Sequence, residues 1–102
     1  MKKQDKAKRN EELYRAILTL KTADECMSFF DDLCTISELQ SIEQRYEVAT
    51  MLSKGYIYNE ILEKTGASSA TISRVNRSLQ YGQDGYSLVF GRLAAQEDKD
   101  NE

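Results

Sequence analysis

The sequence contains no histidine and no proline. Without histidine, the commonest general base and the commonest metal ligand are missing. Without proline, and with strong helix formers plentiful, an all-helical fold is expected. The two cysteines, Cys26 and Cys34, do not form a C-x-x-C pair, and no second ligand cluster accompanies them. That argues against zinc and against metal generally. Both sit among apolar residues and are expected as reduced core thiols. No apolar run approaches the ~18 residues of a membrane span, and no signal peptide is read. The expected compartment is the cytoplasm, with no membrane partner. A paired-carboxylate site, a reactive-cysteine setting and a phosphate-binding glycine loop are also missing, so an enzyme is not expected.

With 102 residues and 40% hydrophobic residues, the chain has room for one small domain with tails. Residues 1–10 are polar and mostly basic, which fits a flexible, solubilising end or an arm that touches phosphates. Residues 11–96 carry the helical patterning, and residues 97–102 form an acidic tail. The net charge of −3 opposes DNA binding mildly. Its distribution softens the objection, because Lys54, Lys64, Arg74 and Arg77 outnumber Glu60 and Glu63 between residues 54 and 82.

That stretch holds the strongest signal. Ile72, Val75 and Leu79 fall at i, i+3 and i+7, placing three apolar side chains on one helix face. Ala70, Ser73, Arg74 and Arg77 point the other way, with Thr71 and Ser78 at its flanks. Small side chains near a helix start let the backbone enter a major groove, and arginines further along reach phosphates or guanine edges. Ser68 or Ser69 can cap this helix and leave its N-terminal end open to a phosphate. Upstream, Tyr58 to Lys64 reads as a short helix with Ile61 and Leu62 buried and Ile57 at its entrance. Gly66 lies where the chain must turn. Helix, tight glycine turn, amphipathic helix over about residues 57–80 is the helix-turn-helix pattern. A plain αα-hairpin is the alternative, although a structural hairpin more often alternates acids and bases on its outer face.

Four more helices are expected. Glu11 to Leu20 carries Leu13, Ile17 and Leu20 in helical spacing. Thr22-Ala-Asp-Glu25 is a capping box opening a helix that runs to about Leu33. Its terminal pair, Asp31 and Asp32, reads as a solvated helix end, because adjacent residues do not face each other on a helix. Thr35-Ile-Ser-Glu38 is a second capping box. It opens a helix over about Ser37 to Lys54, stopped by Gly55. There Leu39, Ile42, Tyr46, Ala49 and Leu52 make the apolar stripe, and Val48 and Met51 add a second side. Arg45 lies between Glu43 and Glu47 and fits a surface ion pair. Beyond a glycine-rich break, Tyr86 to Gln96 makes the last helix. Six helices in so short a chain leave little core for each. An intertwined homodimer is therefore expected, with the first two helices and the last packing on the partner.

Cys34-Thr-Ile-Ser-Glu-Leu-Gln40, Arg45, Leu52-Ser-Lys-Gly55, Gly66-Ala-Ser-Ser-Ala-Thr-Ile-Ser-Arg74 and Asn76-Arg-Ser-Leu79 occur in this order. With them the sequence resembles the Trp repressor family, nearest to its YerC/YecD branch, over about residues 11–90. The resemblance implies a six-helix, intertwined homodimer that binds a palindromic DNA operator and regulates transcription, most simply as a repressor. Carried over by position, Ser68, Ser69, Ala70, Thr71 and Ser73 would face DNA, joined by Arg74 and Arg77. In the family an amino-acid corepressor lies between two arginines. Arg45 and Arg74 match these, Ser78 matches a serine near the ligand's amino group, and Thr35 matches a position that offers a backbone carbonyl from the partner chain. Two departures stand out. Val75 occupies the place of a glycine beside the ligand in tryptophan-responsive repressors, and the helix-turn-helix is one residue shorter between Gly55 and Gly66. A small-molecule ligand other than tryptophan, or none, is expected. A helical protein-interaction module without an operator is the alternative function.

Overall fold

A computed structural model of the chain describes residues 8–101. Six helices follow one another: α1 (Glu11–Ile17), α2 (Ala23–Leu33), α3 (Ile36–Ser53), α4 (Tyr58–Thr65), α5 (Ser69–Tyr81) and α6 (Gly85–Asp100). There is no strand among the described residues, so the chain is all-α with the six helices expected. It divides into an N-terminal unit ending at Glu43 and a C-terminal unit from Gln44 onward. The basic residues before Lys8 lie outside the described part.

In the N-terminal unit, local capping sets the helix starts. The Asn10 side chain accepts from the Leu13 amide at 3.4 Å. The Thr22 hydroxyl accepts from the Glu25 amide at 3.1 Å, while the Glu25 carboxylate accepts from the Lys21 amide, one residue before the cap. At Thr35 the box is reciprocal: its hydroxyl accepts from the Glu38 amide, and the Glu38 carboxylate accepts from the Thr35 amide at 2.8 Å. Helix α1 is shorter than its apolar spacing suggests. After Ile17 the amides of Thr19 and Leu20 bond three residues back, to Ala16 and Ile17, and the last turn tightens out of α geometry. No residue of α1 or α2 is buried. Cys26 and Cys34 are free thiols, but both are only half-buried rather than in a core.

The C-terminal unit holds the core: Val48, Ala49, Met51, Ile61, Ala67, Ile72 and Val75, with Leu52, Leu79, Tyr86 and Phe90 packed against it. Helix α3 is apolar on two sides, so its sequence alone does not say which side is covered. The covered side is Val48, Ala49 and Met51, while Ile42 and Tyr46, on the stripe favoured by spacing, remain exposed. In α4 only Ile61 is buried; Leu62, one residue on and so about 100° around the helix, is exposed. Eight residues are too few to bury two faces. Helix α6 runs four residues beyond Gln96, to Asp100, and buries none of its residues.

Two expectations follow. Ile61→Ala should destabilise the fold by about 2–5 kcal/mol, as a cavity-forming change in a closed core, whereas Leu62→Ala should cost about 0.5 kcal/mol or less. Urea unfolding of the two variants checks the contrast; equal losses would place Leu62 in the core. The second concerns Glu38, whose carboxyl is held below the usual carboxylate range by its hydrogen bonds from the Thr35 backbone and then the Thr35 side chain. Because the folded value is the lower one, the contribution of this cap is complete above the ordinary carboxylate range. It is lost as pH falls through the depressed value. An NMR titration should show the Thr35 amide and the Glu38 carboxyl moving together below the midpoint of an ordinary glutamate.

Candidate nucleic-acid interface

The turn between α4 and α5 is built from three side chains and one glycine. The Thr65 hydroxyl donates to the Ile61 carbonyl at 2.7 Å and accepts from the Ala67 amide at 3.1 Å. Gln44 on α3 donates its side-chain amide to the Thr65 carbonyl at 3.2 Å, tying the turn to the long helix. Gly66 closes α4 with φ 72° and ψ 5°, and its N–H bonds the Leu62 carbonyl. A Cβ there would meet no heavy atom within 4 Å, so glycine is required by backbone conformation and not by space. Ala67 is 1% exposed and enters the core. Ser68 then caps α5, accepting from the Thr71 amide at 3.1 Å, and the Ser68 and Thr71 hydroxyls lie within hydrogen-bond distance of each other at 3.1 Å.

These contacts fix which face of α5 is outward. Ile72 and Val75 are buried and Leu79 is half-buried. Ser69, Ala70, Ser73, Arg74 and Arg77 are exposed, Ser68 is exposed at the cap, and Thr71 is half-buried at the edge of the face. All seven candidate DNA-facing residues therefore lie along one helix and its cap. Helix α5 contains no acidic residue, and neither Arg74 nor Arg77 forms an ion pair among the described residues. Their charge is available to an outside partner.

The four candidate ligand residues are placed by their own elements. An open groove of ≈ 450 Å³ is lined by Tyr46, Ser78, Gln83, Tyr86 and Val89 with Gly82 and Gly85. Of the four, only Ser78 lines it. Arg45 is half-buried on α3 and makes no ion pair with Glu43 or Glu47. Arg74 belongs to the exposed face of α5, and Thr35 lies in the N-terminal unit with its hydroxyl committed to Glu38. The groove rests on an aromatic row, with Phe90 between Tyr46 and Tyr86 at centroid distances of 5.8 Å each. Sequence reasoning did not find Tyr86 or Gln83, because nothing local announces which side of α3 the last helix meets. Gly82 is required by close approach: a Cβ there would lie 2.3 Å from the Ser78 carbonyl oxygen.

Gly66→Ala should cost about 1–2 kcal/mol through left-handed strain alone, and Gly66→Asn should cost less, since asparagine tolerates that region better. Thermal or urea unfolding of the two variants measures it; an unchanged Gly66→Ala would mean that the turn relaxes.

A family model described as Trp repressor protein matches residues 8–94. The chain is 52% identical over 88 residues to YerC of Bacillus subtilis, a protein described as uncharacterised, across 86% of this chain and 85% of that protein. A crystal structure of a TrpR-like protein from Eubacterium eligens superposes with a TM-score of 0.80 at 61% identity, covering 82% of this chain and 87% of that one. A Trp repressor candidate from Staphylococcus aureus superposes with a TM-score of 0.83 at 49% identity, covering 90% and 96% of the two chains.

Proposed function

The chain belongs to the Trp repressor family, and on that premise we propose that it is a sequence-specific transcription regulator, a repressor, that binds a palindromic DNA operator as an intertwined homodimer. Members of this family are DNA-binding regulators and not enzymes. The observation that carries the proposal is the outward face of α5: exposed serines and alanine at its start, two arginines further along without an ion pair among the described residues, and no acid anywhere on the helix. Ser69, Ala70, Ser73 and the edge residue Thr71 are short enough to let the helix sit deep in a major groove, with direct or water-mediated base contacts. Arg74 and Arg77 take phosphates or guanine edges. Ser68 acts at the cap.

The homodimer is supported by helices that have no fully buried residue. Helices α1, α2 and α6 have no buried residue, and Tyr14, Leu18, Met27, Leu33, Leu88 and Leu93 are all exposed. So much apolar surface is a liability for a lone chain and suits a second copy. Residues 11–96 form the proposed DNA-binding domain, with the helix-turn-helix over about 57–80, a basic segment over 1–10 and an acidic tail over 97–102. No described helix is long and apolar enough to cross a membrane, which accords with work in the cytoplasm. Any controlling small molecule is assigned to Arg45, Arg74, Ser78 and the partner's side of Thr35, and it is an acid other than tryptophan. Val75 is 2% exposed and fills its site with its own side chain.

Selection from random duplexes at a stated salt concentration, with and without a mixture of free amino acids, tests this. A palindrome with half-sites about one turn apart is expected. Enrichment that depends on the mixture supports a ligand, and enrichment without it removes the need for one. No enriched sequence from a confirmed dimer would favour a protein-interaction module, and a monomer at micromolar concentration in solution scattering would remove the dimer. On the selected duplex, Arg77→Ala should weaken binding to all sequences about equally and reduce the salt slope by about one.

A further inference from the structure

We infer that Gln44 is a positioning residue that pins the start of α5 to α3 and so sets the half-site spacing that the dimer accepts; this rests on the operator-reading role proposed above. Gln44, Val48 and Met51 fall at i, i+4 and i+7 along α3, on one face of the helix. Val48 and Met51 are buried in the core, and Gln44 is half-buried at the head of the same stripe. An aliphatic side chain there would simply extend the core. The chain instead places an amide on the stripe, and that amide donates to the Thr65 carbonyl at 3.2 Å, 21 residues away. The direction of this bond is fixed, because a carbonyl oxygen only accepts.

The Thr65 carbonyl is one of the groups at the C-terminal end of α4 that have no partner within the helix. The Gly66 amide goes to Leu62, and the Thr65 hydroxyl is engaged by the Ile61 carbonyl and the Ala67 amide. Gln44 therefore completes the turn from outside it, and the same turn leads through Ala67 and Ser68 into α5. Apolar burial of Ile72 and Val75 sets how α5 is rolled, but apolar contact is non-directional and leaves α5 free to slide along α3. A hydrogen bond weakens steeply when its angle is lost and resists that slide. The side-chain caps of the chain join residues three or four positions apart and hold each helix start only to itself. Gln44 holds the turn to a different helix.

Helix α3 is unbroken from Ile36 to Ser53, and the division of the chain falls inside it, with Gln44 the first residue of the C-terminal unit. The surfaces proposed to meet a second copy include α1 and α2, on the far side of that division. Helix α3 is thus the covalent link between those dimer contacts and the reading helix, and Gln44 is where the reading helix is pinned to the link. The half-site spacing of a helix-turn-helix dimer is a geometric property of the protein, and one such pin acts in each protomer.

Gln44→Met keeps the length of the side chain and removes its donor. Duplexes carrying the selected palindrome, with half-sites at the selected spacing or one base pair closer or farther, are titrated with the wild-type chain, Gln44→Met and Gln44→Leu. One neutral hydrogen bond changes an equilibrium by roughly two- to tenfold. Both variants should therefore lose roughly that factor in affinity per half-site at the selected spacing, and should discriminate less against the shifted spacings. Binding to unrelated duplexes, which rests on phosphate charge, should hold. A merely structural role would lower the folded fraction and weaken every duplex by the same factor. Spacing discrimination unchanged in both variants, or a uniform loss on all duplexes, overturns the inference.

An arm without DNA keeps the two proposals apart, and its first measurement uses the wild-type chain alone. In the free protein, NMR should find a side-chain amide proton of Gln44 protected from exchange. In Gln44→Met the Gly66 and Ala67 amides should exchange faster, while those of Met51 and Val75 keep their protection. An unprotected Gln44 amide overturns the inference whatever the DNA result. A protected one, with no sequence enriched by the wild-type chain, overturns the operator reading and with it the spacing role of Gln44.

Discussion

Everything proposed for this chain depends on how α5 is rolled about its own axis. That roll is set by the burial of Ile72 and Val75 in one core with Ile61, Ala67, Val48 and Met51. Ile61 and Ile72 have no exposed surface at all, and each buried aliphatic side chain of that size contributes about 1.5–3 kcal/mol relative to exposure. A rotation of α5 by one residue would carry Ile72 into solvent and an arginine toward the core. The cost of burying an unpaired guanidinium is several kcal/mol on top of the lost burial. The outward position of Ser69, Ala70, Ser73, Arg74 and Arg77 is therefore a result of what lies inward. The left-handed Gly66 and the Gln44 hydrogen bond to Thr65 add the second constraint, by fixing where the helix begins.

Helix starts and the outward face of α5 were legible in the sequence because both are local. A capping threonine with a glutamate three residues on, as at Thr35 and Glu38, carries its own hydrogen bonds wherever it folds. The i, i+3, i+7 spacing of Ile72, Val75 and Leu79 needs one partner surface of any kind. What was misplaced depended on distant neighbours. On α3 two apolar sides compete, and the choice of Val48 and Met51 over Ile42 and Tyr46 is made by α4 and α5, not by α3. Leu62 has the composition of a core residue but lies off the narrow strip that so short a helix can bury. Cys26 and Cys34 have apolar neighbours in sequence, yet their helical surroundings bury little. The early end of α1 has no signal comparable to a glycine stop, since a tightened last turn needs no special residue.

The candidate ligand residues illustrate the same division. Arg45, Arg74, Ser78 and Thr35 were assembled from family correspondence, and only Ser78 borders the groove formed with Tyr46 and Tyr86. A pocket made from several elements is not a property of any one of them. The face proposed for DNA, by contrast, lies on a single helix and its cap, and a single helix is what sequence periodicity describes best.

The close approach at Gly82 gives α5 a defined length. Any larger residue there would strike the Ser78 carbonyl, and the helix stops after thirteen residues. At 1.5 Å per residue that is a rod of roughly 20 Å, longer than the ~12 Å width of a B-form major groove. Ser69 and Arg77 are about 12 Å apart along it, one groove width. With its first turns over the base edges, such a rod spans from the floor of the groove to the sugar-phosphate wall. On the operator reading proposed above, the serines would serve as the graduations and Arg77 as the stop at the rim.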